Sequence, residues 1–307
     1  MRKTYQYRLF TTDAQYQALD AQLGEACRLY NAALQERREA YHKHGIALNY
    51  YAQANQLKAI RSRGHRGLAN FSACQDILRR VDKTFQAFFR RVKAGQKAGY
   101  PRFKSRRRFD SYTFPSYGDG CRLTDARLYL QGVGHLKVKL HRPVDGTIKT
   151  ITVKRACGKW YACFSVEYDS ALLPENAAST GIDVGLEHFA TLANGETIAN
   201  PRYSRKAQAR LRIAQRRVAR RKRGGKNRRK AGALLQKAQA KVKNQRSDFQ
   251  HKVARTLVNT YGIIAVEDLN IKGLASGGIV SKPVQKPVGK LTLFQGISQV
   301  LSHRKTT

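Results

Sequence analysis

Hydrophobic and polar positions alternate near the start of the chain, where Tyr5, Tyr7 and Leu9 occupy every second place of KTYQYRLF. This period of two predicts a β-strand over residues 3–10. After Thr11 the apolar positions recur every three or four residues, which predicts a helix that begins at Thr12 or Asp13. Two more helices are expected at about 50–61 and 70–93, the latter with an apolar face of Ile77, Val81, Phe85, Phe88 and Val92.

Short alternating runs, separated by turn signals at Asp145-Gly146 and Gly158, predict an all-β segment that ends near residue 172. Because residues 3–10 are also strand-like, we expect one β-domain made of 1–10 and 110–175. A helical lobe, 11–95, and a basic connector, 96–109, interrupt it.

The second half of the chain has a different pattern. Residues 180–199 are strand-like, with Asn194-Gly195 as a hairpin turn signal, and a long helical hairpin broken at Gly224-Gly225 is expected over 202–260. The run YGIIAVEDL at 261–269 predicts a buried strand that ends in carboxylates. An atypical tail, 272–307, has no clear period.

Charge narrows the choice of function. The 307 residues carry 59 Lys and Arg against 20 Asp and Glu, a formal net charge of +39 that excludes most ordinary metabolic enzymes. Nucleic acid is the natural counter-charge. The sequence shows neither a signal-peptide pattern nor a run of about 18 apolar residues, so we expect no membrane association. The five cysteines are never spaced as C-x-x-C, which favours reduced thiols in a cytoplasm.

Two basic segments are candidates for nucleic-acid binding. No acidic residue lies between Glu196 and Asp248, so the basic hairpin lacks the charge pairs of a solvated coiled-coil face, and phosphate neutralisation is the favoured interpretation. In PRFKSRRRF at 101–109, Phe103 and Phe109 alternate with cations; the rings could stack on nucleic acid, which we favour, or anchor the connector in a core. The candidate binding residues are Arg102, Lys104, Arg106, Arg107, Arg108, Arg216, Arg217, Arg220, Arg221, Lys222, Arg223, Arg228, Arg229 and Lys230.

Two carboxylates are candidates for metal binding. Asp183 lies within the apolar string GIDVGL, and Glu267 ends the apolar run GIIAV. Their apolar neighbours predict core strands, where a carboxylate is costly unless it is paired or binds a cation. Either acid could be a hydrogen-bonded structural group, but two acids on separate strands of so basic a chain favour a divalent-metal site beside a phosphodiester. A strand with Asp, a hairpin, helices and a strand ending in Glu match the RNase H-like arrangement. Asp268 is expected to be structural, and substitute ligands are disfavoured at Glu187, Glu196 and Asp248.

Several strings together resemble the TnpB (OrfB) family of transposon-encoded RNA-guided nucleases, namely YQYRL, CRLYNAALQERREAY, GYPRFKSRRRF, GIDVGLEHFATLANG and AVEDLNIKGL. The resemblance implies an α+β multidomain fold: a split β-barrel-like wedge domain with an inserted helical recognition lobe, followed by a partial RNase H-like (RuvC) α/β domain over 180–271. It also implies catalytic, Mg²⁺-binding roles for Asp183 and Glu267. Guide RNA and target DNA are the implied partners, in a monomeric ribonucleoprotein that is nucleoid-associated when bound to DNA.

The sequence departs from the family pattern after Asp268, because no later residue is acidic and no cysteine follows Cys163. The family's zinc ribbon and last catalytic Asp are thus missing from these residues, so we expect no zinc, an incomplete Mg²⁺ site and impaired cleavage, as in a truncated or frameshifted copy. Whether the chain is an enzyme stays open. The alternatives are a catalytically inactive RNA/DNA-binding module or repressor and, disfavoured, a DDE-type transposase.

Overall fold

The computed structural model describes residues 1–63, 68–169 and 176–266, and the chain divides into two compact units, Met1–Ser170 and Ala171–Thr307. Each unit combines helices with a β-sheet, so the fold is mixed α/β. Within the described residues, no helix combines the length and the apolar character needed to cross a bilayer.

Unit one contains one long sheet and three helices. In chain order its elements are β1 (Arg2–Phe10), α1 (Asp13–His44), α2 (Tyr50–Ser62), α3 (Phe71–Lys93), β2 (Ser111–Phe114), β3 (Cys121–Thr124), β4 (Arg127–Leu130), β5 (Gly134–Lys139), β6 (Thr147–Ala156) and β7 (Lys159–Glu167).

The sheet of unit one has the strand order β2-β6-β7-β1-β5-β4-β3. β1 lies in its middle, antiparallel to both β5 and β7, although the three helices separate β1 from β2 in sequence. Alternate residues of β1, among them Tyr5, Tyr7 and Leu9, are buried, and Trp160 and Phe164 of β7 share their core. This alternation confirms the predicted strand, because one face of the sheet is covered and the other meets solvent.

The helices begin at capping residues that the sequence supplies. Thr12 forms a capping box with Gln15, while Asn49 and Asn70 accept hydrogen bonds from the first turns of α2 and α3. These contacts confirm the predicted helix starts. The predicted apolar face of α3 is only partly buried, however: Val81 is enclosed, whereas Val92 is 51% exposed. The apolar period of the helix therefore continues beyond the part that the core covers.

Unit two contains a smaller sheet and a long helical hairpin. Its described elements are β8 (Ser179–Asp183), β9 (His188–Leu192), β10 (Thr197–Ala199), α4 (Tyr203–Ala219), α5 (Lys226–Thr260) and β11 (Ile263–Val266). The strand order is β10-β9-β8-β11, with β9 antiparallel to β8 and β11 parallel to it. A core that includes Ile182, Ala190, Leu192 and Leu257 joins α5 to this sheet.

The strand predicted at 261–269 is present as β11 over the described residues, but the prediction that it is buried is wrong for them. Ile263 is 55% exposed, and β11 stands at one end of the strand order. A strand with a neighbour on one side only is less buried than a strand in the middle of a sheet. Residues 267–307, which include Glu267, Asp268 and the atypical tail, lie outside the described residues.

Candidate nucleic-acid interface and carboxylate site

The helices α4 and α5 form the basic hairpin expected from the sequence, connected by residues 220–225. Apolar side chains of both helices, such as Leu211 and Val242, are half-buried along the contact between them. Each of the predicted binding residues of the hairpin is exposed except Arg228, which is half-buried. The hairpin therefore presents its cations to solvent and uses its small and aliphatic residues for packing.

The charge of the hairpin has almost no internal compensation. Nineteen Lys and Arg lie between Glu196 and Asp248, with no acid among them. In the part of unit two that the structure describes, the one ion pair is Lys252 with Asp248, at 2.9 Å. Cations that neutralise phosphates release the counterions condensed on the nucleic acid. Nucleic-acid binding by the hairpin stays a prediction.

Arg228 has a structural role that the sequence did not indicate. Its Nη1 donates hydrogen bonds to the backbone oxygens of Val218, at 2.9 Å, and Arg221, at 2.8 Å. These oxygens lie at and just beyond the C-terminal end of α4, where carbonyl groups lack partners within the helix. Arg228 thus fixes the turn of the hairpin.

The two aromatic residues of the basic connector have different surroundings. Phe109 is 6% exposed and its ring lies 5.9 Å from that of Tyr30, so it anchors the connector in the core of unit one. Phe103 is 48% exposed. The anchoring alternative therefore holds for Phe109, and stacking on nucleic acid stays a prediction for Phe103.

Helix α1 holds the backbone of the connector. The Asn31 side chain donates to the Lys104 oxygen at 2.8 Å and accepts from the Lys104 N–H at 2.8 Å. The Cys27 thiol donates to the same oxygen at 3.3 Å. This contact leaves the charged end of Lys104 exposed while its main chain is fixed.

About two turns before Cys27 on the same helix, Asp20 binds two arginines. Its carboxylate forms ion pairs with Arg106 of the connector and with Arg155 of β6. Gly24 permits the approach, because a Cβ there would overlap the Arg106 guanidinium. Sequence reasoning missed Asp20, although a glycine inside a helix is a signal of close approach.

Of the five predicted cations of the connector, Arg106 is thus held by Asp20, and the other four have no carboxylate partner among the described residues. Arg102, Lys104, Arg107 and Arg108 are all exposed. Fixing the backbone while the charged groups meet solvent lowers the entropy lost when the connector binds an anion.

Asp183 is the last residue of β8, where it pairs with Thr191 of β9. Its side chain is exposed, so the premise that it is buried on a core strand is wrong. The strand is central, but Asp183 lies at its end, next to an exposed loop over 184–187. The two disfavoured substitute ligands of this region, Glu187 and Glu196, are exposed as well.

The parallel pairing of β8 and β11 brings the ends of two predicted strands together. Ile182 is the register partner of Val266. These residues directly precede Asp183 and Glu267 in the sequence, but Glu267 lies outside the described residues. Asp183 supplies carboxylate oxygens, the donor type that Mg²⁺ prefers. Among the described residues, no group of three or more His, Cys, Asp or Glu could hold a metal ion.

The five cysteines all lie among the described residues, and none of them forms a disulfide bond. Burial raises the pKa of the Cys74 and Cys163 thiols, and raises that of Cys121 to about 11. Such thiols stay protonated near neutral pH and are poor nucleophiles and poor metal ligands.

Comparison with known proteins connects both units to one family. Residues 163–277 match the OrfB_IS605 family model, described as "Probable transposase", and residues 1–45 match HTH_OrfB_IS605, described as "Helix-turn-helix domain". The two matches cover just over half of the chain. In this structure residues 1–45 contain a single strand and a single long helix rather than a helix-turn-helix.

Two curated relatives match about nine-tenths of this chain. A protein of Streptomyces pristinaespiralis named "Putative RNA-guided DNA endonuclease" is 28% identical over 92% of this chain and 71% of its own length. "Putative RNA-guided DNA endonuclease InsQ" of Escherichia coli (strain K12) is 27% identical over 89% of this chain and 68% of its own length.

Among solved structures, one described as "Cryo-EM structure of CRISPR-Cas12f Ternary Complex" matches 82% of this chain and 63% of that chain, at 17% identity and a TM-score of 0.34. A structural similarity this low does not establish the family. Family membership rests on the two family-model matches, at residues 1–45 and 163–277, and on the two curated relatives. The chain belongs to the OrfB family of transposon-encoded proteins, also called TnpB.

Proposed function

We propose that the chain is an RNA-guided DNA-binding protein that forms a ribonucleoprotein with a guide RNA and then engages a target DNA. The observation that carries the proposal is the helical hairpin, whose exposed cations between Glu196 and Asp248 lack carboxylate partners among the described residues. Two curated relatives named as RNA-guided DNA endonucleases support the same function.

In this proposal the hairpin and the connector bind the phosphate backbone, and base pairing between RNA and DNA supplies the sequence specificity. Arg216, Arg220 and Arg229 are examples of exposed hairpin residues that can neutralise phosphates. The connector offers four more exposed cations on a backbone that α1 fixes.

We also propose that unit two is a RuvC-like, RNase H-related domain in which Asp183 and Glu267 are metal ligands. The parallel register of Ile182 with Val266, which precede the two acids, supports this assignment. A bound Mg²⁺ in such a site would activate a water and stabilise the leaving oxygen of a phosphodiester. Asp183 would contribute a hard oxygen donor from the end of a central strand, where solvent and substrate can reach it.

A plasmid-cleavage assay tests the enzymatic part. The full chain is purified with its bound RNA and supplied with Mg²⁺ and a plasmid that carries the matching target. Asp183→Asn removes the charge but keeps the shape, and Glu196→Gln, an exposed acid in the turn between β9 and β10, is the matched control.

We expect cleavage by the unaltered chain and by Glu196→Gln, and none by Asp183→Asn. Equal product from all three proteins would contradict a role for Asp183. If none of the proteins cleaves but the RNA-bound chain still retains matched DNA, the protein is a binding module or repressor. Impaired cleavage, expected from the departure from the family pattern, stays a prediction.

A further inference from the structure

A second acid-free stretch, separate from the hairpin, lies in unit one. Between Asp82 and Asp110 there are ten Lys and Arg and six aromatic residues, with no acid. The stretch covers the second half of α3 and the connector that follows. Aromatic rings mixed with cations are the composition that binds single-stranded nucleic acid, because bases stack on the rings while the cations neutralise the phosphates.

The rings of this stretch form one contiguous surface. Tyr100 makes edge contacts with Phe85, at 5.9 Å between ring centroids, and with Phe88, at 5.3 Å. Phe89 contacts Phe88 at 5.3 Å and Phe85 at 6.3 Å. Phe85 is buried, so it joins the exposed rings to the core of unit one.

Arg38 of α1 connects this cluster to Phe103. Its guanidinium lies 5.7 Å from the ring centroid of Tyr100 and 5.3 Å from that of Phe103. Two cation–π contacts from one half-buried arginine hold both rings in place. We name Phe88, Phe89, Tyr100 and Phe103 the aromatic platform.

The platform is open to solvent. Phe89 is 60% exposed, Tyr100 45% and Phe103 48%, and Val92 beside them is 51% exposed. Large apolar patches of this kind mark interaction sites on soluble proteins. Arg90, Arg91, Lys93, Lys97 and Arg102 of the same stretch are exposed and have no carboxylate partner within the described residues.

We propose that the aromatic platform binds an unpaired segment of RNA by stacking its bases on Phe89, Tyr100 and Phe103. The charge around the rings selects a polyanion, and ring faces are useful only for bases that are not already stacked inside a duplex. The inference rests on the proposed function, which supplies two nucleic acids. RNA is the one bound before the target is found, so it is the nucleic acid that covers the exposed aromatic surface for longer.

The test measures binding of a short, unstructured RNA of mixed sequence to the full chain by fluorescence anisotropy at several salt concentrations. The variants are Phe89→Ala, Tyr100→Ala and Phe103→Ala. Tyr51→Ala is the matched control, because Tyr51 is an exposed aromatic residue of α2 at 73% exposure. Each platform variant is expected to weaken binding roughly 5- to 100-fold, since stacking on one ring is lost. The control is expected to stay within about twofold.

Salt dependence separates stacking from charge. The platform variants remove no cation, so the slope of log K against log salt should stay unchanged while affinity falls at every salt concentration. Tyr100→Phe keeps the ring and should retain the affinity. Phe89→Leu keeps the apolar bulk without the ring face and should bind as weakly as Phe89→Ala, which assigns the loss to the ring face rather than to lost apolar bulk. The circular dichroism spectra of both variants should match that of the unaltered chain.

The outcomes for this proposal and for the proposed function differ. If the unaltered chain binds RNA and the platform variants match Tyr51→Ala, the platform is not a stacking surface, and the RNA-guided function still stands. If single-stranded DNA of the same sequence binds more tightly than RNA and shows the losses instead, the assignment to RNA is overturned. If the unaltered chain binds no RNA at all, both proposals fall.

Discussion

The connection between α4 and α5 offers the sharpest test of how the hairpin binds nucleic acid. Arg220, Arg221, Lys222 and Arg223 follow one another there, all exposed, and their side chains have no partner within the described part of unit two. The backbone contact that fixes this turn comes from Arg228 to the Arg221 oxygen, which a side-chain change at Arg221 leaves in place. Replacing the four cations with glutamine should therefore remove charge without removing structure.

The magnitude follows from counterion release. Each phosphate contact on duplex DNA contributes about 0.9 to the slope of log K against log salt, so four lost contacts should make the slope less negative by about 3.6. Between about 50 and 200 mM salt, the unaltered chain should then lose roughly 100-fold more affinity than the variant. At low salt the variant should be the weaker binder, because it lacks four favourable contacts.

The assay is anisotropy of labelled duplex DNA titrated with the full chain over that salt range. Lys252→Gln is the control, because Lys252 is already paired with Asp248 at 2.9 Å. Its removal should change the slope by less than about one. An unchanged slope in the four-residue variant, or the same change in the control, would refute the proposed phosphate contacts of the connection.

Three further predictions concern unit one. Asp82→Ala removes the carboxylate that lies 2.9 Å from the buried Arg37 guanidinium. The free energy of unfolding, measured by urea denaturation, should fall by about 3 kcal/mol, because a buried charge loses its partner. Replacing Arg37 with Met in the same chain should restore part of the lost stability. Asp20→Asn weakens the hold on Arg106, so trypsin should cut the connector faster than in the unaltered chain, and equal rates would contradict the role of Asp20. Burial raises the pKa of Cys121 from 9.0 to about 11 in the folded chain. Between these two pH values the unfolded chain loses the thiol proton first, so the free energy of unfolding should fall as the pH rises. In Cys121→Ala the fall between about pH 8 and pH 10 should be smaller.

Local sequence signals were sufficient for most of the secondary structure. The helix that starts at Thr12 combines a capping residue with an apolar period, and both act within a few residues of each other. The strand β1 can be predicted for the same reason, because its apolar and polar residues alternate over the whole segment. Such elements can be predicted without knowing what packs against them.

The surroundings of individual side chains could not be predicted in the same way. Phe103 and Phe109 occur in one short basic motif, yet one is exposed and the other is enclosed next to Tyr30, which is distant in sequence. The role of Arg228 depends on carbonyl groups of the other helix of the hairpin. Contacts of this kind are set by tertiary structure, which a pattern of residue types does not specify.

The carboxylate site shows the same limit. An apolar run around Asp183 predicted a strand correctly but could not show that Asp183 ends it with an exposed side chain. Exposure removes the argument that a buried charge needs a cation, and the register of Ile182 with Val266 is now the physical support for pairing Asp183 with Glu267. That support is geometric and was not available from spacing alone.

The most direct test of the central claim is whether RNA directs the protein to DNA. The full chain is purified from cells that carry its own gene and the flanking DNA, the bound RNA is sequenced, and binding is measured on two duplexes that differ only in whether they match the variable end of that RNA. We expect one discrete RNA species and retention of the matching duplex alone. Equal retention of both duplexes, or protein purified with no defined RNA, would contradict it.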